Sequence, residues 1–251
     1  MKLWLMAMVA VVVLGSGGWA WAGRPLTVDD ADPADSGWVE AETGVAYAKD
    51  ASTYHGDLPL GLSVGAGGGW EFGVGAGGQW EKAEGDSETD FSDVGLGAKW
   101  RFVEACDGAL RMAMIPSVTL PVADEDKGLG SGETDYDLTW AVSFSPGEAV
   151  GLHGNAGYAW IGEDGAGDVV HYGVVMDYAW TERVQGVAEL FVEDERQAGT
   201  DTLVMVNAGL RWTASDSLVL DVAGGVPVDG RGPDFTATAG LTFAFDLNRA
   251  E

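Results

Sequence analysis

The feature that most limits what this chain can fold into is a hydrophobic alternation of period two. From Val94 onward the alternate residues Val94, Leu96, Ala98, Trp100 and Phe102 are apolar, with Asp93, Gly95, Gly97, Lys99 and Arg101 between them. The pattern recurs at Tyr136, Leu138, Trp140, Val142 and Phe144, from Val170 to Trp180, and from Phe235 to Phe245. Successive strand residues point to opposite faces, so the alternation predicts strands with one apolar face and one polar or small face. About twelve are predicted, at roughly 38–48, 57–65, 69–81, 92–103, 109–121, 134–144, 148–161, 169–180, 183–193, 202–213, 217–226 and 234–246. Most run about 9–13 residues, against the ~5–6 of an ordinary soluble strand. That length is close to what a tilted strand needs to cross a bilayer.

The connections alternate in length. "KDASTYHG", "KAEGDSETDFS", "VADEDKGLGSGE", "GEDGAGD", "EDERQAGTD" and "PVDGRGPD" are long and acidic, and between them fall short turns such as "AGGG", "EACDG", "SPGEA", "TE" and "ASDS". Short periplasmic turns, longer outer loops and an even strand count are the signature of an outer-membrane barrel. A bilayer offers the backbone no water, so only a closed barrel leaves no unpaired strand edge there. The expected fold is therefore all-β, an antiparallel transmembrane β-barrel of the outer-membrane type with about twelve strands. A secreted β-sandwich also alternates, but with shorter strands and without this rhythm of loops.

Tryptophan supplies an independent check. With both termini periplasmic, Trp70, Trp100, Trp180 and Trp212 fall near the periplasmic strand ends, and Trp80 and Trp160 near the outer ends. All six share the apolar face of their strands, as an aromatic girdle requires. Trp38 shares parity with Glu40 and Glu42 and does not fit, and Trp140 sits deeper than a belt residue should.

The N-terminus reads differently. Lys2, the apolar run Leu3–Leu14 and the small-x-small end Ala20-Trp21-Ala22 form a cleaved export signal over residues 1–22, too short to span a bilayer comfortably. The expected organisation is then a periplasmic segment over 23–36, the barrel over 37–246 and a tail over 247–251. Export places the chain in the cell outer membrane, with lipid, lipopolysaccharide and the barrel-assembly machinery as partners. A net charge of −27 becomes −28 once Lys2 leaves, and so acidic a surface repels nucleic acid. The single Cys106 rules out a disulfide framework and a cysteine-rich zinc site. No metal or other cofactor is expected.

Several stretches, in their order and spacing, resemble one family. "RPLTVDDADPADSGWVEAETGVAYAKD", "TDFSDVGLGAKWRF", "IPSVTLPVADEDKGLGSGETDYDLT", "LHGNAGYAW" and "AGLTFAF" are similar to the outer-membrane transporter family named after the MetA (meta-cleavage) pathway of phenol degradation. The likeness spans almost the whole chain after the signal. It implies a barrel that passes small solutes, aromatic or hydrophobic ones among them. One departure is the ending: Phe245, the expected terminal aromatic, is followed by "DLNRAE".

Enzymatic barrels need a nucleophile beside a base. The three histidines, in "YHGD", "LHGN" and "VHYG", have no serine two residues away on the same strand face. His153 and Asn155 share a face without an evident nucleophile, so no catalytic residues are expected. The polar face reads instead as a lumen. Its acidic candidates are Glu40, Glu42, Asp135, Asp137, Asp177, Glu189 and Asp221. Its basic candidates are Lys99, Arg101, Arg111, Arg183 and Arg211, with His171 beside them. Two readings stay open: salt bridges that fill the interior, or a charge-selective pore lining. Twelve strands lie between filled eight-strand barrels and open sixteen-strand porins, which favours a narrow channel.

One loop imitates binding motifs. "DEDKGLGSGETD" begins like a calcium loop, but a calcium loop starting at Asp124 needs Gly sixth and Glu twelfth, where Leu129 and Asp135 stand. A phosphate loop needs a helix after its glycines, and a strand pattern follows here. What remains is a wide outer loop, turned by Gly128, Gly130 and Gly132 and kept in water by Asp124, Glu125 and Asp126.

Overall fold

In the computed structural model the alternating segments form strands that pair in sequence order and close on themselves. It describes residues 24–83, 85–127, 129–229 and 232–249; the export signal lies outside them. The strands are β1 (Trp38–Asp50), β2 (Thr53–Gly67), β3 (Trp70–Ala83), β4 (Asp86–Phe91), β5 (Val94–Ala105), β6 (Leu110–Leu120) and β7 (Asp135–Phe144). They continue with β8 (Val150–Trp160), β9 (Val169–Ala179), β10 (Val184–Glu195), β11 (Leu203–Ser215), β12 (Leu218–Asp229) and β13 (Phe235–Asp246). Every pairing between the named strands is antiparallel, and β1 closes on β13 with Val39 opposite Phe245 and Gly44 opposite Gly240. The result is a closed antiparallel barrel of twelve staves.

The twelve-stave count holds although the described residues form thirteen strands. β4 and β5 both pair with β3, β4 along Gly78–Ala83 and β5 along Trp70–Gly75. They form one stave in two pieces, jointed at Ser92 and Asp93. The stretch "KAEGDSETDFS", expected as loop, is therefore mostly strand. "KDASTYHG" shrinks likewise, because Thr53 already pairs with Asp50 and only Ala51 and Ser52 turn the chain.

The alternation sorts the side chains as expected. Leu58, Leu60, Leu62, Phe72, Val74, Trp140, Tyr172, Val174 and Met176 point outward and are exposed, forming the apolar band. Trp70, Trp100, Trp160, Trp180 and Trp212 are exposed on the same face. Trp70 and Trp100 are cross-strand partners stacked at 5.3 Å with planes 6° apart. Trp80 folds flat over Gly56, where an added Cβ would lie 2.2 Å from the indole. Trp140, deeper in the wall, meets Phe102 edge-on at 5.6 Å.

Two expectations about placement fail. Arg183 is exposed in the turn between β9 and β10, where its amide donates to Thr181 Oγ1, so it is no part of the lumen wall. Residues 24–36 do not hang in the periplasm. They enter the barrel, and Leu26, Val28, Asp29 and Ala31 are among its most buried residues. At the other end the chain tucks back, the Leu247 amide donating to the Gly37 carbonyl.

Candidate functional site

A backbone crossing the inside of a barrel must satisfy its amides without a neighbouring strand. Here the wall's side chains do so. Glu189 Oε2 accepts from the Thr27 and Val28 amides at 2.7 and 2.6 Å. Asn155 accepts from the Asp29 amide through Oδ1 at 2.7 Å and donates to the Asp29 carbonyl through Nδ2 at 2.9 Å, a two-bond grip that imitates a ladder. Ser143 Oγ takes the Ala31 amide at 2.8 Å and Glu71 Oε2 the Ala34 amide at 2.5 Å. Ala31 itself packs against Ala113, Ile115 and Ala141, and Val28 against Val175, Val187 and Phe191. Residues 24–36 thus form a plug across the half of the lumen nearer the chain ends and the short turns.

Charge fixes the plug as firmly. Lys99, 3% exposed, places Nζ 3.0 Å from Asp29 and 3.4 Å from Asp30. Arg101 and Arg111 both reach Asp32 Oδ1, at 3.1 and 2.8 Å. At the start of the plug Arg24 lies 3.2 Å from both oxygens of Asp221 and 3.1 Å from Thr238 Oγ1, while Arg211 donates to the Arg24 carbonyl. The basic side chains of the lumen therefore find their partners in the acidic run of the plug, "DDADPAD", more than across the wall.

The remaining candidates stay within the wall. Glu42 accepts from Thr242 Oγ1 at 3.1 Å. Glu40 faces inward on the same strand as Glu42. Asp135 accepts the Gly162 amide, and Asp137 pairs with His171 Nε2 at 2.7 Å and with Thr139 Oγ1 at 2.7 Å. Asp177 takes the Gly151 amide and His153 Nε2, the latter at 2.8 Å. His153 Nδ1 in turn meets Ser143 Oγ at 2.8 Å. The nucleophile not evident beside His153 is thus Ser143, its cross-strand partner on β7. Laying β7 against β8 in register would have found it. Ser143 is fully buried beneath Ala31, whose amide occupies its oxygen.

Beyond the plug, toward the mouth that carries the longer loops, lies a cavity of about 250 Å3. Its lining mixes apolar residues, Ile115, Ile161, Val169, Phe191, Leu203 and Met205, with polar ones, Asp137, Thr139, His171 and Asn207. Asp29 reaches it from the plug, 1% exposed, with its Oδ2 lacking a hydrogen-bond partner. The loop "DEDKGLGSGETD" does not stand wholly in water. Leu129 is buried, and its carbonyl is held by the inward-facing Gln79.

The profile of the family described as "Putative MetA-pathway of phenol degradation" matches residues 22–245. The chain belongs to this family. Among solved structures it is similar to the COG4313 outer membrane channel from Pseudomonas putida F1, with a TM-score of 0.62 at 13% identity, over 86% of this chain and 98% of that one. The NanC porin gives 0.58 at 12% identity, covering 81% and 98%. The CymD monoaromatic hydrocarbon channel gives 0.53 at 7%, covering 85% and 90%. At these identities the likeness is one of fold, an outer-membrane type barrel. No curated protein sequence matches the chain.

Proposed function

We propose that the protein is a narrow, gated channel of the cell outer membrane for small molecules with an apolar or aromatic body. The observation that carries this reading is the division of the lumen. A plug held by side chains, not by a ladder, closes the periplasmic half, and a half-apolar cavity opens above it. A solute reaching the cavity finds apolar wall for its body and Asp137, His171 and Asn207 for one polar group, the usual make-up of a small-molecule site. Family membership and the channel names of several structural neighbours support the same reading. Export through a signal cleaved after Ala22 would leave Arg24 second in the mature chain, next to the place where it grips Asp221.

The protein is not an enzyme on this reading. Ser143, His153 and Asp177 are linked as a nucleophile, base and orienting acid would be. A nucleophile also needs access and donors preset for an oxyanion, and Ser143 is covered by Ala31. The relay serves as a clamp on the plug. Most lumen candidates other than Arg183, Glu40 and Glu42 act as plug anchors or as cavity wall. Lipid and lipopolysaccharide surround the outward apolar band, and the barrel-assembly machinery inserts the chain. Conductance in planar bilayers and swelling of liposomes test the proposal. Small, infrequent openings are expected; folded barrel giving neither signal refutes it.

A further inference from the structure

The cavity beyond the plug has a charge bias that enclosing an apolar solute does not require. Its lining includes the carboxylates of Asp29, Asp135, Asp137 and Glu193, and among the described residues no lysine or arginine. His171 also lines it, but that ring is already committed. Asp137 on β7 and His171 on β9 meet across β8, where Gly157 stands opposite both Thr139 and His171. A Cβ at Gly157 would collide with the imidazole and stand 2.6 Å from Thr139 Oγ1. The bare glycine lets the ring lie flat there and bring Nε2 within 2.7 Å of Asp137 Oδ2. Any charge on the ring is therefore matched inside the wall.

Asp29 is not matched in this way. Its Oδ2 is buried and accepts from nothing among the described residues, and a buried acceptor without a donor is costly. The donors beside it are spent. An ammonium has three, and Lys99 gives them to Asp29 Oδ1, Asp30 Oδ1 and the Asp32 carbonyl. Asn155 Nδ2 is taken by the Asp29 carbonyl. One ammonium thus faces two carboxylates, and the donor that Oδ2 lacks has to come from the cavity. The approach carries the same sign. Asp135 lies close enough to Asp93 and Glu163 for their charges to repel, and Glu163 feels Glu195 in the same way. Basic side chains at that rim are used by neighbours, Lys49 by Asp234, Lys127 by Asp90 and Arg196 by Asp194. A cleft of one sign with low-dielectric walls concentrates ions of the other sign.

We propose that the cavity takes solutes bearing a protonated amine on an apolar or aromatic body, with Asp29 as the counter-ion of the amine. This selectivity rests on the channel reading and names the charge of the solute's one polar group. The ammonium supplies the donor that Asp29 Oδ2 lacks, and the body lies against Phe191, Leu203 and Met205, which line the same space. A hydroxyl supplies a donor too, but it leaves the excess of carboxylate unmatched. A solute carboxylate finds no basic side chain to meet it and is repelled.

The experiment titrates the full chain, folded in a neutral detergent, with three probes of one body: 2-phenylethylamine, 2-phenylethanol and phenylacetate. Binding is read as heat at neutral pH against a detergent blank, and heat-modifiable gel mobility checks folding. The amine should bind roughly tenfold tighter than the alcohol, and phenylacetate should give no binding heat. Asp29→Asn should weaken the amine roughly tenfold and the alcohol less than about twofold. Asp135→Asn, in the cavity wall away from the plug, should weaken the amine roughly threefold and keeps the test alive if the plug variant does not fold. Glu148→Gln, in a short turn at the other end of the barrel, should change neither. An amine that binds no tighter than the alcohol, binding of phenylacetate, or equal losses for amine and alcohol in the folded variants overturns the amine site and leaves the channel standing. Amine binding by a barrel that gives neither conductance nor swelling overturns the channel and keeps the site.

Discussion

Replacing Lys99 with methionine should open the plug while leaving the barrel folded. The ammonium is buried between β5 and the plug, 3.0 Å from Asp29 and 3.4 Å from Asp30. Methionine keeps the stem's packing and removes the charge, so two plug carboxylates are left facing each other and the inward-pointing Glu71. Breaking a buried pair from one side costs about 3–5 kcal/mol. The lower value suits a lumen that water can enter, because Asp30 is partly exposed. About 3 kcal/mol is roughly a hundredfold in the closed-to-open ratio. A plug that stands open about 1% of the time would then be open about half the time. Single-channel recording in planar bilayers reads this directly as open probability, with heat-modifiable mobility confirming the barrel. Arg111→Met is the internal comparison. Its partner Asp32 is half-exposed and keeps Arg101, so the loss should stay below about 1 kcal/mol. Equal open probabilities for wild type and Lys99→Met, or equal effects of the two substitutions, would refute the view that this buried charge holds the plug.

Three further outcomes are expected. Glu189→Gln weakens the acceptor of the Thr27 and Val28 amides; losing part of two charge-assisted bonds, about 1–2 kcal/mol, should raise open probability roughly tenfold in the same recordings. Trp100→Ala removes the stack on Trp70, worth about 0.5–1.5 kcal/mol beyond lost area, and should lower the urea midpoint of barrel unfolding in lipid without altering conductance. The hydrogen bond and charge of Lys49 hold the Asp234 carboxyl below its usual range. A depressed carboxylate adds stability above its unfolded value of about 3.9, and that stability is lost as pH falls through the lower folded value. Protection of the Asp234 amide, which donates to the Lys49 carbonyl, should therefore drop in acid after correction for intrinsic exchange, and Asp234→Asn should flatten the profile.

The wall was legible in the sequence because alternation is a local signal. Val94 to Phe102 carries both faces of its stave within nine residues, and the same parity set the tryptophans outward. The plug was not legible, since "DDADPAD" has no period and Lys99 lies 70 residues from Asp29. Its one trace was a match of sign: an acidic run early in the chain, and three basic side chains on the inner face of neighbouring strands. Arg183 was misplaced because parity carries on through a turn that the backbone does not follow. All of β4 hid in an acidic stretch, "GDSETDF", whose rim position lets both faces be polar. The Ser143–His153 contact needed register between strands, which is visible only once neighbours are paired.

The plug is made first and seated last. Arg24 grips Asp221 and Thr238, 197 and 214 residues downstream, and those two partners face a common interior only after β13 has joined β1. Contacts of such long separation form late, since the chain between them must be ordered before they count. Insertion therefore passes through a barrel that is closed but still hollow, with Lys99, Glu189 and Asn155 facing water and nothing across the periplasmic mouth. Each newly assembled copy is a transient leak in the membrane it joins, and the speed at which its first residues find their seats sets how long that leak lasts.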